Sequence, residues 1–371
     1  MDRRTFLAGS LGVAGTTMAG CITIGDEPTE HLAWSTSLDA HPNPMDSRDL
    51  SYDSGTVAAV TDDRLFGIGE SGDVLWEALE HPTGVFGVGG GFLGVDWPGY
   101  HPRNEVNEAV LKRIAPDGET RWQSARFRLV DLAVGSDRVV VVHERRSGLA
   151  LSACSLADGT VRWTTALDHS PTAVRFSPDH AITVGSRVVA YDRATGEQAW
   201  QAGSFDRSFP PAVDGDRAYL TSDDPPYRVL VLDLAEGREV NRYEVGSQLR
   251  PTGPLVVRDG VGVGAGYRND ASPLFGVTSD TGAVRWWKTP GDEIEIPDSP
   301  RSAGAVVDGT LFLFDFKYVL QAIDLEGGSI EWSFDAEKNY PVVAAGQNRV
   351  YVLAGGTVHA LDPSVETGSS P

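Results

Sequence analysis

Cysteine is nearly absent from this 371-residue chain, which carries only Cys21 and Cys154. Two thiols build no disulfide framework, so the fold has to rest on its packed core. Cys154 lies in the alternating stretch LALSACS and reads as a buried thiol rather than a nucleophile. Positive charge is also scarce. There are four lysines in all, and 31 Lys and Arg face 52 Asp and Glu, for a net charge of −21. Such a surface repels nucleic acid and anionic lipid, and suits a solvated acidic exterior. No apolar run approaches the length that spans a bilayer, and no amphipathic helical pattern follows residue 32. The eight histidines are scattered; none forms H-x-x-x-H or pairs with Cys at zinc spacing. There is no G-x-S-x-G elbow. GGGFLG (89–94) has G-x-G-x-x-G spacing, but no helix follows to receive a phosphate, so it reads as a turn and a strand. The acidic stretches SDDPP and GDEIEIPD lack the alternating ligand pattern of a calcium loop.

What is present begins with MDRRTFLAGSLGVAGTTMAGC. Arg3 and Arg4 precede a short, mildly apolar run that ends in small residues, the pattern of a cleaved export signal. The paired arginines, followed by Thr5, Phe6 and Leu7, resemble the twin-arginine signal that exports folded proteins. Met18, Ala19, Gly20 and Cys21 resemble a lipobox, which implies lipid on Cys21. The expected domains are therefore a signal over 1–20, a lipidated cysteine and tether over 21–31, and one folded domain over 32–371. The acidic, lysine-poor composition, rich in Gly and Val, resembles that of proteins from salt-loving archaea.

The folded part repeats. A Gly is followed four residues later by Trp in ESGDVLW (Trp76), APDGETRW (Trp122), LADGTVRW (Trp163), RATGEQAW (Trp200), SDTGAVRW (Trp286) and LEGGSIEW (Trp332). LAEGREVN keeps the Gly and has Asn241 in the Trp column. Successive columns are 46, 41, 37, 41, 45 and 46 residues apart. Trp34 lies 42 residues before Trp76 and has no such Gly before it, while Gly368 near the end has no Trp after it. Pairing the two ends completes an eighth unit. Inside each unit the hydrophobic alternation and the turn glycines mark four short strands. Prolines recur ahead of the first strand, at Pro42, Pro82, Pro171, Pro210, Pro251, Pro300 and Pro341, where no ladder bond is lost. Four strands per unit at this period is the signature of a β-propeller. The expectation is all-β: an eight-bladed β-propeller of four-stranded antiparallel blades, closed by the N-terminal strand pairing with the last blade.

VVAYDRATGEQAW, VLQAIDLEGGSIEW and VHALDPSVETG also resemble the quinoprotein-type (PQQ-like) repeat. The likeness covers residues 32–371 and is specific for architecture. Trp34, Trp76, Trp122, Trp163, Trp200, Trp286 and Trp332 are then scaffold, each wedged against a neighbouring blade. Trp97 and Trp287 are surplus to the column. Asn241 marks a weaker contact, and Asn241→Trp is expected to be neutral or stabilising.

The turns between the first and second and between the third and fourth strands are short throughout, whereas the other connections vary. The longest are 97–108, 143–150 and 289–301. Variable loops on a rigid scaffold carry binding, and the polar candidates there are His101, Arg103, Arg145, Arg146, Tyr227, Arg268, Glu293 and Glu295. No catalytic residue and no metal ligand stand out, which weighs against an enzyme. The expected role is a non-catalytic protein-binding or scaffolding propeller, exported and held by lipid on the outer face of the cell membrane. It resembles in design the lipid-anchored propeller of outer-membrane protein assembly. The expected partner is another envelope protein, with no nucleic acid, no cofactor and a monomeric state. The alternatives are a quinone-dependent dehydrogenase-like enzyme with PQQ and calcium, or a small-molecule or sugar sensor. Quinoprotein dehydrogenases hold the quinone against adjacent cysteines, and this chain has none adjacent.

Overall fold

The computed structural model describes residues 31–38, 49–61, 64–78, 83–96, 108–203, 209, 211–222, 225–245, 250–251, 255–267, 273–288, 304–314, 318–336 and 341–363. Among them the regular structure is all strand, and no helix is long and apolar enough to cross a membrane. The strands pair as antiparallel runs of four consecutive segments. The first run is Asp49–Asp53, Thr56–Val60, Leu65–Gly69 and Val74–Ala78. The fourth is Pro171–Phe176, His180–Gly185, Val188–Asp192 and Gln198–Ala202. The fifth is Ala212–Asp214, Arg217–Thr221, Arg228–Asp233 and Glu239–Glu244, close to the segmentation read from the sequence. The second and third runs share one eight-stranded sheet because Phe127–Val134 begins by pairing with Glu108–Ile114, at Phe127↔Ala109 and Arg128↔Glu108. In the sixth run the first position is split between Arg250–Pro251 and Val256–Arg258.

The last sheet is the one drawn from both ends. Val342–Ala345, Val350–Ala354 and Thr357–Leu361 are completed by Leu32–Ser37, with Trp34 opposite Ala360 and Ser35 opposite His359. Two backbone bonds extend that ladder beyond the strands, Asp362 N–H to His31 O at 2.7 Å and Leu38 N–H to Gly356 O at 2.8 Å.

The second and third strands are buried on both faces, as in Thr56–Val60 and Leu65–Gly69, so they read as continuous apolar runs. The fourth strands keep one face exposed, as in Leu32–Ser37 and Glu239–Glu244. Core residues sit between sheets rather than within one. Val57, Phe66 and Ile68 of the first sheet cluster with Tyr351, Leu353 and Val358 of the last. Phe312, Phe314 and Leu320 cluster with Val350, Val352 and Leu361. Each sheet is therefore sandwiched by its neighbours in chain order, and the last also packs on the first. Pro171 opens a strand and Pro341 directly precedes one, as expected; Pro42, Pro82, Pro210 and Pro300 lie outside the described residues.

The Gly-x-x-x-Trp column has a two-part physical basis. The turn glycines take the left-handed conformation, for example Gly72 at φ +90° and Gly196 at φ +75°. Each also lies under the aromatic ring of the preceding sheet. A Cβ on Gly118 would come within 2.8 Å of the Trp76 ring, and one on Gly159 within 2.7 Å of Trp122. Gly72, Gly196, Gly237 and Gly328 are covered likewise by Trp34, Trp163, Trp200 and Trp286. Each indole N–H then donates to a carbonyl two or three residues before that glycine, at 2.7–3.0 Å: Trp34 to Glu70, Trp76 to Pro116, Trp122 to Leu156, Trp163 to Arg193, Trp200 to Leu234 and Trp286 to Leu325. Trp332 stacks on His31, with centroids 4.4 Å apart, and its buried Nε1 has no hydrogen-bond partner among the described residues; Gly368 lies outside them.

At the Asn241 position, expected to be a weaker contact, two side chains share the work of the Trp. Tyr243, two residues on, lies over Gly282 and donates its hydroxyl to Ser279 O at 2.8 Å, while Asn241 Nδ2 donates to Asp280 O at 2.5 Å. The register explains why. The residue opposite the Trp is small in six sheets, Gly67, Ala153, Ala190, Gly276, Ala322 and Ala360, and is Arg113 opposite Trp122. Opposite Asn241 it is Val231. The ring over the glycine has moved two residues along the strand, from 241 to Tyr243.

Candidate functional site

The end of the sheets that carries the longer connections is described only in part. His101, Arg103, Arg268, Glu293 and Glu295 lie outside the described residues, as do Arg3, Arg4, Cys21 and Trp97. The 143–150 segment differs from its reading as a long loop. Strands Arg138–Arg145 and Gly148–Ser155 run on to a two-residue turn, pairing through Arg145↔Gly148. The polar composition marks a hairpin that outruns its neighbouring sheets. At its tip Arg145 and Arg146 are exposed, and neither makes an ion pair among the described residues. Tyr227 is half-buried, just ahead of Arg228–Asp233. Arg145, Arg146 and Tyr227 thus share one end of the molecule, but they belong to different sheets.

Below that tip, His143 is buried and bonds through Nε2 to Ser152 Oγ at 2.8 Å, which in turn meets Thr164 Oγ1 at 2.9 Å. Burial pushes the His143 imidazole below its ordinary pKa, with Arg145 adding to the effect. In the next sheet His169 lies between Asp168 Oδ1 (3.4 Å) and Thr183 Oγ1 (3.0 Å). The order acid, imidazole, hydroxyl is that of a nucleophile relay, but Thr183 is wholly buried and its hydroxyl also donates to Val189 O at 3.2 Å. Asp168 is held instead by Arg187, which together with burial keeps this group a structural tie. Each chain passes through a buried hydroxyl, that of Ser152 or of Thr183, while Thr164 and Asp168 at the outer ends are exposed.

Two carboxylates the sequence reading passed over tie first strands to each other. Asp49 accepts Val85 N–H at 2.7 Å through Oδ2 and Leu50 N–H at 2.9 Å through Oδ1. Asp131 accepts Val174 N–H at 2.8 Å and meets Arg175 Nη1 at 3.3 Å. Burial raises both carboxyls, that of Asp49 to about 6, against the opposing hydrogen bonds. No sequence pattern singles out these two among so many acids. Cys154 is buried and free, its thiol pushed up to about 11 by burial. Trp287 stacks on Phe275 at 6.0 Å, on the face opposite Trp286.

Sequence comparison matches this chain to the family profile described as outer membrane protein assembly factor BamB, over residues 106–259 and again over 176–369. No curated protein matches it. Among solved structures, the computationally designed Ika8 protein is 14% identical and superposes with a TM-score of 0.64, covering 88% of this chain and 98% of its own. A quinohemoprotein alcohol dehydrogenase from Pseudomonas putida is 11% identical with a TM-score of 0.62, covering 92% of this chain and 76% of its own. BamB from Moraxella catarrhalis is 15% identical with a TM-score of 0.48, covering 75% and 95%. At these identities the first two likenesses establish the propeller-type fold and nothing about activity.

Proposed function

The chain belongs to the family described as outer membrane protein assembly factor BamB, and from that membership we propose that it is a non-catalytic propeller that docks a protein partner of the cell envelope. The family match over 106–369 carries the reading. The exposed Arg145 and Arg146, which make no ion pair among the described residues, support it, because two cations on an otherwise acidic protein give a partner a directional handle. The scaffold is an eight-bladed ring. Its support is the cyclic order of the inter-sheet cores, in which the last sheet packs on the first, together with the Leu32–Ser37 strand completing the last sheet. Export by the Arg3–Arg4 signal, lipid on Cys21 and a tether over 22–30 would hold this ring, as a monomer, on the outer face of the membrane of a salt-adapted cell.

Among the described residues no group of three or more His, Cys, Asp or Glu could hold a metal ion, and Cys154 is sealed between two sheets. No step is assigned to a quinone or to calcium.

The test is recovery of partners from the organism's own membranes with the lipidated protein, alongside deletions of 97–108 and of 289–301 and the Arg145→Glu, Arg146→Glu double variant. A specific partner lost in these variants is the expected result. An unchanged set of partners in all three overturns the assignment of this face, and quinone-dependent dehydrogenase turnover by purified protein overturns the non-catalytic reading.

A further inference from the structure

At the join between the last sheet and the first, the end carrying the short turns holds an open groove of about 700 Å³ lined by Tyr52, Ser54, Gly55, Glu70, Ser71 and Gln347. We propose that this groove binds a neutral polyhydroxyl ligand of the saccharide class. Its size falls within the range of small-molecule sites, and its chemistry narrows the ligand.

The walls are fixed from below. The Tyr52 ring stacks on buried Tyr351, with centroids 5.6 Å apart and planes 12° from parallel. Its hydroxyl receives the Gly55 N–H at 3.1 Å and donates to Glu70 Oε1 at 3.3 Å. The backbone carbonyl of Glu70 is held twice, by Trp34 Nε1 at 2.7 Å and Arg349 Nη1 at 2.8 Å. Ring, carboxylate and turn are thus positioned before any ligand arrives, which lowers the ordering cost of binding.

What the walls leave unused decides the ligand. Glu70 Oε2 and the Gln347 amide have no partner among the described residues. Ser54 and Ser71 donate to Asp53 Oδ1 (3.1 Å) and Asp73 Oδ2 (2.8 Å), and each hydroxyl oxygen can still accept. The set is rich in acceptors with one amide donor, and a ligand hydroxyl both donates and accepts. An anion is disfavoured, because the Arg349 guanidinium is engaged at the Glu70 carbonyl and the Glu70 carboxylate repels negative charge. A cation would gain little from one exposed, solvent-screened carboxylate and would leave the amide and hydroxyls unused. An apolar ligand would strand every lining group. The groove lies at the end opposite Arg145 and Arg146, so it can fill independently of the partner surface.

The purified chain is titrated by calorimetry with neutral mono- and disaccharides, and with inorganic phosphate and putrescine as the anionic and cationic probes. Gln347→Ala and Glu70→Gln alter exposed side chains and are first matched to the parent by melting temperature. The expected result is binding of at least one saccharide, weakened about tenfold in each variant, as loss of one well-made polar contact implies, with no binding of phosphate or putrescine. Failure of every saccharide, saccharide binding that both variants retain, or tighter binding of putrescine than of any saccharide overturns the proposal. None of these outcomes bears on whether a protein partner is recovered through the opposite face.

Discussion

The join after Gln198–Ala202 and the join after Glu239–Glu244 solve one packing problem in two ways. In the first, Trp200 covers Gly237 and bonds to Leu234 O, with Ala190 behind it. In the second, Asn241 keeps the hydrogen bond to the neighbouring turn, Tyr243 supplies the ring over Gly282, and Val231 fills the space behind Asn241. The repeat therefore conserves a function, a ring over glycine and a donor to the turn carbonyl, more strictly than a residue. That separation of roles suggests that neighbouring sheets are held by roughly additive interfaces, as in other repeat folds.

The largest effect expected from that view falls on the join made by the two ends. Deleting 32–38 removes a whole strand together with Trp34, its bond to Glu70 and the cover over Gly72. Loss of a strand exposes both an edge and a core, and should abolish cooperative melting, on the scale of the whole ~5–15 kcal/mol stability of a domain. Deleting 22–30 should leave the melting temperature unchanged. Calorimetry of both deletions checks this; wild-type melting of the 32–38 deletion would sink the closed ring.

Next come the rings themselves. Trp163 is 9% exposed, and Trp163→Ala should cost about 3–5 kcal/mol by denaturant melting. If Tyr243 fills the equivalent place, Tyr243→Ala should cost nearly as much, about 3 kcal/mol, because it also strands the Ser279 carbonyl. A loss below about 1 kcal/mol for Tyr243→Ala would mean that the ring over Gly282 is incidental.

Smaller still is the effect of restoring the repeat. Asn241→Trp alone should destabilise by about 1–3 kcal/mol, since an indole meets Val231 and Tyr243. Adding Val231→Ala and Tyr243→Thr should recover most of that loss, and the coupling read from mutant cycles should exceed ~1 kcal/mol. Additive losses would refute the exchange of roles proposed for this join.

Much of this was legible in one dimension and part was not. The Gly-x-x-x-Trp offset marks the turn and the fourth strand within a unit, so the all-β class and the four-strand pattern follow from spacing. The contact that gives the offset its meaning joins Trp76 to Pro116, 40 residues away in the next unit, and no local pattern displays it. Reading down the Trp column also hid Tyr243, because its compensation lies two residues off the column. Arg145 and Arg146 were found by composition but given to a loop, since a hairpin that outruns its neighbours loses the buried faces that would make it alternate. Asp49 and Asp131 went unnoticed because a chain with 52 acids offers no contrast.

Those acids and the buried histidines give the smallest and most separable prediction. His143, His169 and His359 all have imidazoles lowered by burial, so the folded state binds fewer protons than the unfolded chain once the pH drops below the ordinary 6.5. Each should therefore withdraw stability as the pH falls from about 6.5 toward its lowered value. Asp49 works in the opposite sense. Its folded value of about 6 lies above the ordinary 3.8, so the folded state takes up its proton first and the burial penalty is relieved as the pH falls from 6 toward 4. In the parent chain the two trends partly cancel between pH 6 and 5. Asp49→Asn removes the compensating uptake, and its stability should fall more steeply with acidification in that window, by up to about 1.4 kcal/mol per pH unit for one proton. Denaturant melts of both proteins across pH 5–7 measure the two slopes. Equal slopes would mean that Asp49 is ionised in the fold at pH 5 and that its bonds to Val85 and Leu50 outweigh its burial.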